Sequence, residues 1–235
     1  MTLSRLPANT LTLLGSNLGG ALLLFALSAL IGRTFGSPGL GVYAVALAWV
    51  YPLSLVVEFG LTTLMTRVIS ADSAQIPTYM ESITVARLLL GGAVLIGFYL
   101  AAPLISRDPV VVSALQISAP LIVIQPFYSQ FTTVFKAQGR MWTIPALNLG
   151  MIGAQVVLTA VAFATGGNIL HALILNTVTS AGQLIAAWAL YQRFLRYDGV
   201  NGGRDSSRPY NDMNLLPVLR AAFPFALAAI FAALQ

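Results

Sequence analysis

Glu58 and Arg87 are ionisable residues set inside otherwise apolar stretches, LSLVVEFGL and ITVARLLLGG. A charge at the middle of a membrane helix costs at least about 2.5–3.5 kcal/mol on insertion scales, so it normally faces a cavity or a partner. Glu58 lies about nine residues before the end of its apolar run, and Arg87 about seven residues after the start of the next. With a rise of about 1.5 Å per helical residue, the two reach similar depths from the same side. Two chemistries fit that placement. One is a charge pair in a cavity that switches with a coupling ion or a substrate phosphate; the other is a static salt bridge between adjacent helices.

Uncharged polar residues recur at helical spacing around this pair. One stripe holds Tyr51, Ser54, Glu58 and Thr62, and another holds Ser118, Gln125, Ser129 and Thr132. Asn148 and Gln155 form a third, and Asn176, Ser180 and Gln183 a fourth. Such faces suit a water-filled cavity for a sugar or other polar cargo, or they hold helices together by hydrogen bonds. The cavity reading assigns the lining to Arg87, Glu58, Tyr51, Thr62, Gln125, Ser129, Asn148, Gln155, Asn176 and Gln183.

The elements that must carry these residues are membrane helices. Charged residues make up 8% of the 235-residue chain and hydrophobic ones 57%, with a mean hydropathy of +0.83. A soluble domain carries about 25% charged residues, so the expected fold is all-α, a polytopic transmembrane helix bundle. Six complete spans are expected, over about 9–32, 39–66, 80–105, 110–135, 142–165 and 169–192. A seventh opens near 215 and is truncated at Gln235. The division is a six-helix lobe over 1–197, a cytoplasmic loop over 198–214 rich in Gly, Asn, Asp and Ser, and the start of a second lobe over 215–235. The first apolar run, about Leu11 to Ile31, is too long for the h-region of a signal peptide and reads as a retained helix.

With the N-terminus cytoplasmic, nine basic residues fall inside: Arg5, Arg67, Lys136, Arg140, Arg193, Arg196, Arg204, Arg208 and Arg220. Only Arg33 and Arg107 fall outside, a bias that fixes the expected orientation. The net charge of +5 therefore reflects topology and does not call for nucleic acid. Pro120 and Pro126 should let the fourth helix bend. Gly15, Gly19, Gly91 and Gly92 should allow close helix packing, and His171 is a proton sensor or a solvated interfacial residue.

No enzyme chemistry emerges. The chain has no cysteine and one histidine, which removes thiolate catalysis, disulfides and most zinc sites. Neither GxGxxG nor GxxxxGK[ST] is present. No catalytic residue, metal or cofactor is expected.

The stretch GRTFGSPGLGVY, with Gly32, Arg33, Phe35, Gly36, Gly41 and Tyr43, resembles the first hairpin of polysaccharide flippases. These are the Wzx-like members of the multidrug/oligosaccharidyl-lipid/polysaccharide exporter superfamily. Glu58-Phe59-Gly60-Leu61 followed by Arg67, the turn FKAQGRMW with Gln138, Gly139 and Arg140, and the turn TGGNILHA are similar to the family's later segments. Locally, Gly36 reads as a helix C′ residue, Ser37 as an N-cap and Pro38 as an N1 residue, a tight outer hinge with Arg33 at the interface.

The resemblance implies a bacterial or archaeal multi-pass protein of the cytoplasmic membrane. Its substrate would be a polyprenyl-pyrophosphate-linked oligosaccharide, flipped by alternating access between two lobes, the C-terminal one almost absent here. Arg87, helped by Arg33, would attract the pyrophosphate. Glu58 would be the carboxylate for coupling to H+ or Na+, and membrane lipids would be the other partners. Rival readings are a multidrug or cation antiporter of the same superfamily, a membrane-embedded enzyme of envelope-polymer synthesis, and a non-transporting assembly subunit.

Overall fold

The computed structural model describes residues 6–71 and 76–201. The described residues are helical throughout, with no strand. The helices are α1 (Leu6–Glu58), α2 (Leu61–Ala71), α3 (Ile76–Ile105), α4 (Pro109–Ser118), α5 (Leu121–Ala137), α6 (Thr143–Ala164) and α7 (Ile169–Asn201). The expected seventh span over 215–235 lies outside the described residues, as does the loop beyond residue 201.

Five helical stretches are long and apolar enough to cross a membrane: Gly15–Glu58, Met80–Ile105, Pro109–Ala137, Thr143–Ala164 and Ile169–Arg193. The first is 44 residues long, about 66 Å at 1.5 Å per residue and twice a hydrocarbon core of about 30 Å. It is not one rod. Gly36 has φ 66° and ψ −165°, so the helix breaks there into arms over 6–35 and 37–58. The positive φ is the left-handed conformation expected of a helix C′ glycine.

Side-chain neighbours show that the chain reverses at this break. In the first arm, Gly19 abuts Leu149 and the Phe35 ring meets Phe163 with centroids 4.8 Å apart. Both indices rise together, so this arm runs parallel to α6. In the second arm, Trp49 meets Phe98 at 6.4 Å while Val57 lies beside Gly91, so this arm is antiparallel to α3. Helix α3 is in turn antiparallel to α4 and α5, since Gln116 bonds Tyr99 while Gln130 bonds Thr84. Helix α7 is parallel to that pair: Thr177 bonds the Ile117 carbonyl and the Tyr191 ring packs against Phe131. Helices α6 and α7 are antiparallel, with Asn148 bonded to Gln183 and Phe163 packed with Ile169. The described residues thus make an up-and-down bundle of six rods, which places Arg67, Lys136, Arg140 and Arg193 at one end and Arg33 and Arg107 at the other.

The structure differs from the sequence reading in four places. The second span, expected unbroken over about 39–66, is interrupted at Phe59 and Gly60, whose φ values are 42° and 66°. The fourth is two helices, because Pro120 cannot donate a backbone hydrogen bond and its carbonyl turns to Val123 and Ile124. Helix α7 runs to Asn201, past the expected lobe boundary at 197, and α2 and α3 take up most of the expected connector RVISADSAQIPTY.

The turns were legible. After α5, Gly139 has φ 70° and the Arg140 amide reaches back to the Phe135 carbonyl at 2.8 Å. After α6, Gly166 has φ 86° and the Gly167 amide bonds the Ala162 carbonyl at 2.8 Å. Both are six-to-one closures that satisfy helix-end carbonyls. Asp108 caps α4 by accepting from the Val110 amide at 2.8 Å, with Pro109 in the first turn.

Two of the four expected packing glycines are in tight places. A Cβ on Gly91 would stand 3.2 Å from both Val57 and Val123, and one on Gly19 would stand 3.3 Å from Leu149. Gly15 and Gly92 have open space instead. His171 is exposed and shares hydrogen bonds with Asn168 at the start of α7.

Candidate functional site

Arg87 is fully buried, the largest side chain in the interior. It lies on α3 facing the broken strip where α1 gives way to α2, and facing the proline-kinked part of α5. Its Nη2 donates to Thr62 Oγ1 at 2.7 Å, and its Nη1 donates to Gln130 Oε1 at 3.3 Å and to the Pro126 carbonyl. Its Nε is buried without a partner. Glu58 accepts from Ser129 Oγ at 2.9 Å, and Ser129 lies 3.2 Å from Thr62 Oγ1. The chain of groups is therefore carboxylate, hydroxyl, hydroxyl, guanidinium. No ion pair within 4.0 Å joins Glu58 and Arg87 among the described residues, although the carboxylate acts electrostatically on the guanidinium. The expected proximity is found, with two hydroxyls interposed.

Local sequence explains the geometry. Glu58 is the last residue of α1, and Phe59 and Gly60 follow with positive φ, a rare conformation for phenylalanine. The break turns α2 so that Thr62 meets α3 and α5. Pro126 and Gln130 stand four apart on α5 and so share a face toward Arg87. Gln130, 1% exposed, completes the cluster by donating to the Met80 carbonyl and Thr84 Oγ1, each at 3.0 Å. Gln130 was not among the expected site residues. Its place one turn after Pro126, at the depth of Arg87, is the signal that would have found it.

The other expected residues are distributed elsewhere. Asn148 Oδ1 accepts from Tyr128 at 2.7 Å and from Gln183 at 2.8 Å, tying α6 to α5 and α7. Gln155, buried on α6, donates to Tyr43 Oη of the second arm at 3.0 Å. Asn176 is buried on α7, Gln125 is half-buried, and Tyr51 is 50% exposed. At the hinge between the two arms of α1, Arg33, Gly36 and Gly41 are exposed. The structure thus gathers Glu58, Thr62, Arg87 and Ser129 into one network and Asn148 with Gln183 into a second.

Arg87 borders neither of two cavities formed among the described residues. A cavity of about 610 Å³ lies between α3, α5 and α7, and none of the ten expected lining residues borders it. A smaller groove of about 340 Å³ follows the α6–α7 seam and includes Gln183. Arg87 is enclosed in this conformation, so direct contact with a phosphate would require α2, α3 and α5 to part.

The family model described as polysaccharide biosynthesis protein matches residues 6–234. No curated protein and no solved structure gives a match.

Proposed function

The chain belongs to the polysaccharide biosynthesis protein family, and on that premise we propose that it is a lobe of a transporter that flips a lipid-linked oligosaccharide across the cytoplasmic membrane. The end bearing Arg67, Lys136, Arg140 and Arg193 faces the cytoplasm by the positive-inside rule. The substrate is carried on polyprenyl pyrophosphate, and a second lobe closes the pathway. Transport proceeds by alternating access, with no covalent chemistry on the substrate, so the protein is not an enzyme.

One observation carries the reading. Arg87 is held at a helix interruption by neutral acceptors, while the carboxylate in its network among the described residues, Glu58, stands two hydroxyls away. Transporters place their working groups at discontinuous helices, where freed backbone and polar side chains can exchange partners. In this arrangement Glu58 takes up H+ or Na+, which withdraws its field from Arg87. The Thr62–Arg87 bond then loosens, and α2 moves against α3 and α5 to admit the pyrophosphate to the guanidinium. An antiporter of lipophilic cations is disfavoured because the interior charge is a guanidinium.

The test is reconstitution of the gene's full product in proteoliposomes with a fluorescent polyprenyl-pyrophosphate oligosaccharide, scoring the fraction reached by an external quencher. Protein-dependent flipping is the expected result, steepened by a proton or sodium gradient. A rate equal to that of protein-free vesicles overturns the assignment.

A further inference from the structure

Gly150 on α6 and Gly182 on α7 bring nothing together among the described residues. They flank the Asn148–Gln183 bond and so stand at one level of the α6–α7 seam. Glycine weakens a helix interior relative to alanine. At Gly19 and Gly91 that loss is offset, because Leu149, Val57 and Val123 come close there. A Cβ on Gly150 or Gly182 would meet nothing within 4 Å, and both glycines are exposed. With Ala146, Ala154 and Ala186 they form the floor of the groove of about 340 Å³.

The groove calls for an apolar occupant. Its polar side chains are already engaged, Thr179 with the Leu175 and Asn176 carbonyls and Gln183 with Asn148, so neither is left for a headgroup or a sugar. Small residues on adjoining helices are the surface on which another membrane helix approaches closely. The small floor is confined to the end of the seam nearer Arg140, since the exposed face of α6 carries Val157 and Val161 farther along.

The chain supplies a segment that fits. Helix α7 ends at Asn201, and beyond it lie the polar stretch 202–214 and the apolar run 215–235. The Asn148–Gln183 bond puts Trp188 level with Thr143, the start of α6, and Asn201 lies about 20 Å beyond that level. Residues 202–214 reach about 45 Å when extended, enough to return. In the run, Ala222, Ala226, Ala229 and Ala233 recur at spacings of four, three and four, one face of a helix. Ala222 and Ala226 follow Leu215 by seven and eleven residues, as Gly150 and Ala154 follow Thr143. We propose that residues 215–235 dock as a helix in the α6–α7 groove, parallel to α6, with Ala222 and Ala226 against Gly150 and Ala154. On the transport reading this is the joint to the second lobe, and it leaves outside it α2 and α3, which carry Thr62 and Arg87.

The chain has no cysteine, so introduced pairs report without background. Ala154→Cys with Ala226→Cys, in the gene's full product carrying a protease site within 202–214, is oxidised in membranes and then cleaved. A disulfide needs Cα atoms within about 7 Å, a distance that a small-residue crossing provides and helices packed about 8–10 Å apart do not. The two fragments are expected to stay joined on non-reducing electrophoresis. They should separate when Ala226→Cys is paired instead with Phe127→Cys in the larger cavity. Adding Gly182→Leu, which fills the groove, should abolish the crosslink while circular dichroism shows the same helix content. Separated fragments in the Ala154–Ala226 pair, equal joining through Phe127→Cys, a crosslink that survives Gly182→Leu, or a disulfide-linked dimer of two chains from Ala154→Cys alone overturns the proposal. Flipping is not measured, so the transport reading falls or stands separately.

Discussion

The Arg87 cluster and the Asn148 cluster are built from similar polar side chains and differ in what their helices do. Asn148 on α6 accepts two hydrogen bonds, from Tyr128 on α5 and Gln183 on α7. No charge is involved and none of the three residues stands at a helix break, so the interaction is a fastener. Arg87 is bonded where α1 ends, where Phe59 and Gly60 take positive φ, and where Pro126 removes a backbone donor from α5. A guanidinium with five donors finds oxygens there that a regular helix would not spare. The lesson is that helix regularity separates polar groups that hold a bundle from polar groups able to change partners.

The largest expected effect comes from removing the charge. Arg87→Met leaves Thr62, Gln130 and the Pro126 carbonyl without their donor and Glu58 without a compensating field. Loss of one member of a buried charged network costs about 3–5 kcal/mol, so a marked fall in melting temperature and loss of flipping are expected together. Arg87→Lys separates the two. An ammonium keeps the charge but cannot span Thr62 and Gln130 as a planar fork does. This variant should fold and flip at least about tenfold more slowly, roughly the rate equivalent of one charged hydrogen bond. Full activity in Arg87→Lys would reduce Arg87 to a fastener like Asn148.

Glu58→Gln is the next sharpest probe. The amide still accepts from Ser129, and Glu58 is only half-buried and stands two hydroxyls from the guanidinium, so the melting temperature should fall by less than in Arg87→Met. The ionisable oxygen is gone, so gradient-driven acceleration of flipping should disappear while any residual downhill rate persists. A Glu58→Gln protein that still responds to both proton and sodium gradients would move the coupling site elsewhere.

Much of this contrast could be read from the chain, and the unread part has a physical cause. Composition alone required membrane helices, and the placement of Glu58 and Arg87 put them at similar depths, where they could approach. The hinge was legible because Gly36, Ser37 and Pro38 carry local preferences that need no tertiary partner. The break at Phe59 was not, because a phenylalanine at positive φ is imposed by its surroundings, and its own preference argues against it. Gln130 escaped because it stands about 100° around α5 from the Ser129 stripe, and only its spacing from Pro126 pointed to the face that α3 covers.

Asn148→Ala should give a smaller and purely structural effect. Interhelical hydrogen bonds in membranes average about 0.6 kcal/mol each, so loss of two predicts about 1 kcal/mol of destabilisation with flipping unchanged. A large transport defect at unaltered stability would make the second cluster a moving part and dissolve the distinction.

Gly60→Ala probes the break itself with a minimal change. Gly60 has φ 66°, where an added Cβ meets the backbone and costs about 1–2 kcal/mol. If the interruption is only a consequence of packing, that strain should appear as a modest fall in melting temperature and nothing more. If the interruption is what lets Glu58 and Thr62 exchange partners, alanine favours carrying the helix through from α1 to α2. The segment would then lose freedom even as it gained regularity. The expected result is a flipping rate lowered by more than the stability loss accounts for, with faster proton exchange at the Phe59 amide in wild type than in the variant. A rate that tracks stability alone would place the break with the fasteners.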